Sequence, residues 1–225
     1  MAPFGKIYTY PNNARVKKAQ AVANINNLEL TISDSQMGIT NRTPEFLAKF
    51  PVGKVPAFEG ADGTTLVESD AIAQYLAESG PAASQLLGNN PLQRAQTRQW
   101  ILFADGETIS PVIQLVLPRV GLGAFDAEKE KVALEHLNHS LGVLEKHLKS
   151  RGKKWLSSTE EQGLSLADIS VASALTWGFA RIIDAEMRAK YPTVVEWFKR
   201  TVETEGVKQA FGEQVFVERR AAPAA

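Results

Sequence analysis

The chain has 225 residues, 44% hydrophobic and 22% charged, with 25 basic and 25 acidic side chains and no cysteine. That length suits two small domains, and the balanced charge gives no field to draw in nucleic acid or an anionic membrane surface. Without cysteine there is no disulfide, thiolate metal site or redox Cys-x-x-Cys; no apolar run reads as reaching the roughly 20 residues of a membrane span, and the first ten residues (MAPFGKIYTY) lack a secretory signal's pattern, so a cytoplasmic protein is expected.

Residues 5–9 alternate weakly and run into Pro11-Asn12-Asn13, a strand ending in a loop. Ala14, Val16, Ala19, Val22 and Ile25 recur at helical spacing until Asn26-Asn27 stops them, and Leu28–Ile32 reads as a second strand, parallel to the first because a helix crosses between them. Thr43-Pro44 pairs an N-cap with proline at the first helical position and starts a short helix through Phe50. Pro56–Glu59 and Thr64–Val67 flank Gly60-Ala61-Asp62-Gly63, which is hairpin chemistry, and Asp70–Glu78 is a third helix ended by Gly80-Pro81. The order βαβαββα predicts a thioredoxin-like half over 1–80.

A polar connector spans 81–91, after which strand signals vanish and an all-helical half is expected over 92–217. Leu92–Val120 reads as one long helix bent at Pro111 and Pro118, and Asp126–Ser150 as another, capped by Asp126. Leu164-Ser165-Leu166-Ala167-Asp168-Ile169 is a complete helix start: Ser165 caps, Asp168 answers from the third position, and Leu164 can staple against Ile169. Pro192–Thr204 forms a further helix, and the last eight residues, 218–225 (ERRAAPAA), read as a flexible tail. Trp155, Trp177, Trp197 and Phe198 read as core. His136, His139 and His147 share a helix, but no carboxylate or cysteine pattern completes a ligand set, so no metal is expected. Arg151-Gly152-Lys153-Lys154 reads as a solvated helix end.

The most informative segment joins Gly53-Lys54-Val55-Pro56-Ala57-Phe58 to Glu68-Ser69-Asp70-Ala71-Ile72. Backbone beside Pro56 can pair with the main chain of a small peptide. Ser69 and the unpartnered amides of a helix start can hold a carboxylate, and Glu68 can meet an ammonium. Together they suit a peptide carrying both charge signs.

A thioredoxin-like half followed by a helical half with the Ser-Leu-Ala-Asp-Ile start resembles the cytosolic glutathione S-transferase fold over nearly the whole chain. Within that superfamily, residues 41–60 (NRTPEFLAKFPVGKVPAFEG), Tyr8-Thr9-Tyr10-Pro11, Trp100 with Phe103-Ala104-Asp105, and Trp197-Phe198 are similar to the gamma subunit of translation elongation factor 1. The resemblance implies that Pro56 is cis, that Val55 pairs with the cysteinyl backbone of glutathione, that Glu68 and Ser69 grip its γ-glutamyl end, and that Lys54 approaches its glycyl carboxylate. It also implies a homodimer, with apolar surface such as Ile72 and Leu102 available to a partner. Elongation-factor relatives continue through a linker into another domain, so the chain resembles either that N-terminal domain alone or a stand-alone relative.

Conjugation requires glutathione's thiol, with an ordinary pKa of roughly 8.5, to be deprotonated. Transferases use a tyrosine ending the first strand or a serine opening the first helix. Here those positions hold Thr9, flanked by Tyr8 and Tyr10, and Asn12 or Asn13. The Asn12 amide can donate to a thiolate and Arg15 can add positive charge, whereas helix capping is an equally open role for the asparagines. A second substrate is expected near Asn12, Gln99, Phe103 and Gly106, with Arg98 and Asp105 solvated or paired structurally. Two functions follow: a module that binds glutathione and scaffolds elongation factor 1 through its nucleotide-exchange subunits, or a glutathione transferase acting on small electrophiles.

Overall fold

The computed structural model describes residues 3–150 and 154–223. Its first half holds a four-stranded sheet in the order β2-β1-β3-β4, formed by β1 (Gly5–Thr9), β2 (Leu30–Asp34), β3 (Ala57–Gly60) and β4 (Thr65–Val67). Strands β1 and β2 are parallel and joined by helix α1 (Ala14–Ile25), while β3 is antiparallel to both β1 and β4. Helices α2 (Pro44–Lys49) and α3 (Ser69–Glu78) complete the expected βαβαββα order. Strand β2 begins two residues later than expected, because the end of α1 consumes them. Asn27 takes a φ of +54°, and the amides of Asn27 and Leu28 bond to the carbonyls of Asn24 and Ala23, a Schellman closure that holds Leu28 in the turn.

The connector contains helix α4 (Ala83–Leu87), which the sequence reading missed, followed by α5 (Pro91–Phe103), α6 (Ile109–Val116), α7 (Ala127–Ser150) and α8 (Leu166–Arg181). The expected single helix over 92–120 is interrupted by a wide π turn at Ala104–Thr108 and ends in a 3-10 turn at Leu117–Val120. Pro111 explains the first break. Its ring excludes the carbonyl four residues back, that of Glu107, and the wide turn falls at that point. By length and composition Pro91–Val120 could cross a membrane, contrary to the sequence reading; half of its most apolar window is buried, and Trp100, Ile101, Val112 and Leu115 belong to the protein core. Helices α9 (Ala185–Lys190), α10 (Pro192–Glu203) and α11 (Val207–Phe211) follow, the first and last of them unforeseen.

Asp168 knits the helical half together. Its Oδ2 accepts from the Ser165 amide and hydroxyl at 2.9 and 2.7 Å, and its Oδ1 from the Leu156 amide at 2.9 Å and Trp197 Nε1 at 2.8 Å. The reciprocal cap expected at Ser165 is therefore also a cross-link to α10. His136 pairs with Glu107 at 2.6 Å, and His147 lies against Trp100 with Nε2 2.9 Å from the Leu156 carbonyl.

Three expectations are revised. The tail from Glu218 is anchored at least to Ala221: Arg188 and the Ala185 amide hold Glu218, Arg220 donates to the Ile182 carbonyl, and Arg119 donates to that of Ala221. Ile72 is buried in the chain's own core and offers no surface, whereas Leu102 is 55% exposed. Trp177 is only half-buried. Residues 151–153 of the basic loop lie outside the described residues; Lys154 pairs with Glu160.

Candidate functional site: a peptide cradle beside an apolar cavity

Strand register assembles the cradle. Tyr8 pairs with Ala57 across β1 and β3, and Ala57 with Val67 across β3 and β4. One step further along each ladder sets Thr9, Pro56 and Glu68 abreast at one end of the sheet. The Val55-Pro56 bond is cis, Val55 is half-buried and Lys54 is exposed. Asn41, buried and unremarked in the sequence, supports this turn: its Nδ2 donates to the Gly53 carbonyl at 2.6 Å and its Oδ1 accepts from the Gly38 amide at 2.6 Å. Gly53 has a φ of +63°, which a side chain adopts only with strain.

Glu68 precedes α3 with a φ of +68°, uncommon outside glycine and worth roughly 1–3 kcal/mol of strain. That backbone leaves its carboxylate exposed beside Pro56, while Ser69 is buried at the first position of the helix. The first intrahelical bond here runs from the Ile72 amide to the Glu68 carbonyl, so the preceding amides are available to an anion. Asp70, which would repel an anion at this point, is neutralised by the largely buried Lys18. The sequence-predicted cluster of Val55, Pro56, Glu68 and Ser69 is thus brought together, with Lys54 on the adjoining turn.

The loop after β1 bears on any thiol chemistry. Asn13 is the N-cap of α1: its Oδ1 accepts from the Arg15 amide at 3.0 Å and its Nδ2 donates to Thr9 Oγ1 at 3.1 Å. The Thr9 hydroxyl in turn donates to the Tyr10 carbonyl at 3.2 Å. Tyr8 points to the other side of the sheet and donates to Glu59 at 2.7 Å; burial and that carboxylate push its pKa up to about 12. Asn12 is exposed with a φ of +58°, and its carbonyl accepts from Trp177 Nε1 at 3.2 Å. The capping role therefore falls to Asn13 and leaves the Asn12 side chain uncommitted to capping. Arg15 is engaged with Asp105 at 2.5 Å, the structural pairing expected for Asp105. Tyr10 lies beside Asn12; burial raises its phenol pKa and Arg15 lowers it.

Beside this loop opens a cavity of about 860 Å³ between Tyr10-Pro11-Asn12 and the facing surfaces of α6 and α8. Ile113, Val116, Leu117 and Trp177 form its wall, and Met37 and Val215 reach it from the loop after β2 and from the segment after α11. Asn12 lines it as expected. Gln99, Phe103 and Gly106 do not: Gln99 and Gly106 are exposed elsewhere, and Phe103 packs edge-on against Trp100 with centroids 5.1 Å apart. The long apolar stretch reaches the cavity after the π turn instead, through Ile113, Val116 and Leu117. Trp177 carried one usable signal, a polar ring nitrogen that needs a partner when packed.

A sheet cradle for a doubly charged peptide beside an apolar cavity, on a thioredoxin-like half joined to a helical half, defines a glutathione transferase architecture. The glutathione S-transferase N-terminal domain family model matches residues 3–78, and the C-terminal domain model residues 108–205. The chain belongs to the glutathione S-transferase family. Glutathione S-transferase-like protein LUC7 of a Fusarium species is 54% identical, over 94% of this chain and 94% of its own length. Elongation factor 1-gamma of Danio rerio is 38% identical over 96% of this chain, which spans 48% of that protein. Among solved structures, the GST-like domain of elongation factor 1-gamma from Saccharomyces cerevisiae shares the fold with a TM-score of 0.83 at 23% identity, covering 100% of both chains. Glutathione S-transferase-I bound with lactoylglutathione gives 0.79 at 25% identity, covering 93% of this chain and 99% of its own. The expected likeness to the elongation-factor branch is present, and the fungal transferase-like protein shares more identity, over 94% of its length.

Proposed function

We propose that this chain binds glutathione in the cradle around cis-Pro56 and conjugates it to an apolar electrophile held in the adjoining cavity. The observation that carries this reading is the juxtaposition itself: the Thr9–Pro56–Glu68 row ends at the loop whose other side lines the cavity. Val55 pairs with the cysteinyl backbone, Ser69 and the α3 amides hold the γ-glutamyl carboxylate, Glu68 takes the ammonium, and Lys54 approaches the glycyl carboxylate. Asn12 donates to the sulfur as its proton leaves to solvent, and the thiolate then forms the bond to the electrophilic carbon, from which, in an aryl halide, the carbon–halogen bond breaks and halide departs to solvent. Arg15, neutralised by Asp105, acts through the loop and not as a free charge. An amide donor lowers a thiol pKa less than a charged group, so slow turnover is expected.

Removing a hydrogen bond to a charged group costs about 1.5–3 kcal/mol, so Ser69→Ala should weaken capture on immobilised glutathione by roughly tenfold or more. Asn12→Ala should lower turnover of an aryl halide with binding retained. Undiminished capture by Ser69→Ala refutes the cradle assignment, and unchanged turnover in Asn12→Ala refutes the role of the amide.

The 38% identity to elongation factor 1-gamma over 96% of the chain supports a second reading, a cytoplasmic scaffold that binds the nucleotide-exchange subunits. Pull-down with those subunits tests it. Homodimerisation belongs to both readings; Leu92 and Leu102, 67% and 55% exposed on α5, supply apolar surface for it, and sedimentation of Leu102→Glu is the check.

A further inference from the structure

Three cations lie in the first two turns of α1, and their partners differ. Arg15 pairs with Asp105 and Lys18 with Asp70. Lys17, between them, is half-buried, and among the described residues its Nζ donates only to the Phe211 carbonyl at 2.8 Å while lying 5.8 Å from the centre of the Phe211 ring. An ammonium carries three donors, so two remain. Lys17 lines the 860 Å³ cavity and also an adjoining recess of about 460 Å³, and the two spaces share Tyr10, Pro11, Asn12 and Lys17. Arg181 adds a second positive charge to the larger one. Glu213 lines the larger space and Asp34 the recess, yet among the described residues neither Lys17 nor Arg181 forms an ion pair. Burial lowers the Lys17 pKa with no carboxylate to oppose it. A charge removed from water without a counter-charge is unfavourable, and an incoming anion relieves that.

Resting on the transferase reading, we propose that the second substrate is an elongated apolar carboxylate, its carboxylate held by Lys17 at the junction of the two spaces and its body lying on the Ile113–Val116–Trp177 wall. Lys17 is then the residue that selects an acid over its neutral counterpart.

The test uses the full chain and cis-parinaric acid, whose fluorescence reports entry into an apolar site, against its methyl ester. The acid should bind the unaltered protein roughly tenfold or more tightly than the ester, as expected for a charge-assisted bond. Lys17→Met should bring the two near parity and Lys17→Arg should keep the preference. Equal affinities in the unaltered protein overturn the proposal without any variant, and so does a preference that survives in a folded Lys17→Met. Capture on immobilised glutathione is measured alongside. A loss there in Lys17→Met as large as the loss of acid binding would assign Lys17 to the tripeptide and overturn the proposal. Acid preference without glutathione capture by the unaltered protein would refute the transferase reading instead.

Discussion

Replacing Asp168 with Asn changes one atom of a fully buried side chain and tests the view that this carboxylate is a cross-link. Each oxygen accepts two bonds, Oδ2 from Ser165 twice and Oδ1 from Leu156 and Trp197. If Oδ1 becomes NH2, the Leu156 amide and Trp197 Nε1 both face a donor; if Oδ2 does, the Ser165 amide faces one while the Ser165 hydroxyl can turn to accept. Buried donors left unsatisfied cost about 1–3 kcal/mol each, so one or two of them give a gross loss of about 1–6 kcal/mol. An opposing effect is the removal of a buried charge: burial pushes the Asp168 carboxyl up from its ordinary range against the pull of Trp197 and Ser165, and an amide escapes that penalty. The net expectation is a loss of about 2–4 kcal/mol, a large share of a typical folding free energy of about 5–15 kcal/mol. For a chain of this size about 1 kcal/mol lowers Tm by roughly 2–4 °C, so calorimetry should show a drop of roughly 5–15 °C. Trp197→Phe deletes one of the same four donors, and the double variant should cost less than the sum of the single ones. A Tm within about 2 °C of the parent would refute the reasoning, because it would mean the four donors find other partners.

Asn41→Ala leaves the buried Gly53 carbonyl without its partner, while the exposed Gly38 amide can turn to water, so stability should fall by about 1–3 kcal/mol in urea titration and glutathione capture should weaken with it. Asp105→Ala removes a partner that is half exposed; the expected change in stability is below about 1 kcal/mol and shrinks further in salt, and unchanged turnover would confirm that the Arg15 pair is structural. Tyr8 should be the last tyrosine to ionise in a phenolate absorbance titration. Its native pKa of about 12 stands above the ordinary 10.0, so between those values the native state keeps a proton that the unfolded state gives up, and stability falls as pH rises through that window. Tyr8→Phe should abolish the late titration step. Glu59 has the opposite sign: the bonds from Lys49 and Tyr8 lower its pKa, so its contribution is present above the ordinary carboxylate range and is lost as pH falls through the native value.

The cradle was legible in the sequence because its parts lie close along the chain and are joined by hairpin chemistry. Pro56 and Glu68 stand at the two feet of a hairpin whose turn, Gly60-Ala61-Asp62-Gly63, is written in turn-forming residues, so local rules alone set them side by side. The Ser165–Asp168 start was legible for the same reason, although its bond to Trp197 joins residues 29 positions apart and carried no local signal. The cavity was not legible. Its wall comes from α6, α8 and the segment after α11, which lie far apart along the chain, and a π turn that no periodicity announces interrupts 92–120 ahead of the part that faces it. Asn41 was hidden because a buried asparagine in an irregular segment looks the same in sequence as an exposed one. The tail reads as linker from its alanines and proline; Arg188 and Arg119 donate to the Val217 and Ala221 carbonyls, and Arg220 of the tail donates to the Ile182 carbonyl at the end of α8, contacts that composition does not encode.

The loop that would meet glutathione's sulfur is fastened from the opposite half of the molecule. Trp177 holds the Asn12 carbonyl and Ser173 that of Ala14, both from α8. A thioredoxin-like fragment expressed on its own would keep its strands and lose the braces that fix this bend. On the transferase reading, reactivity toward sulfur is a property of the two halves jointly, and drift in a helix remote from the tripeptide can retune it without touching a single residue of the cradle.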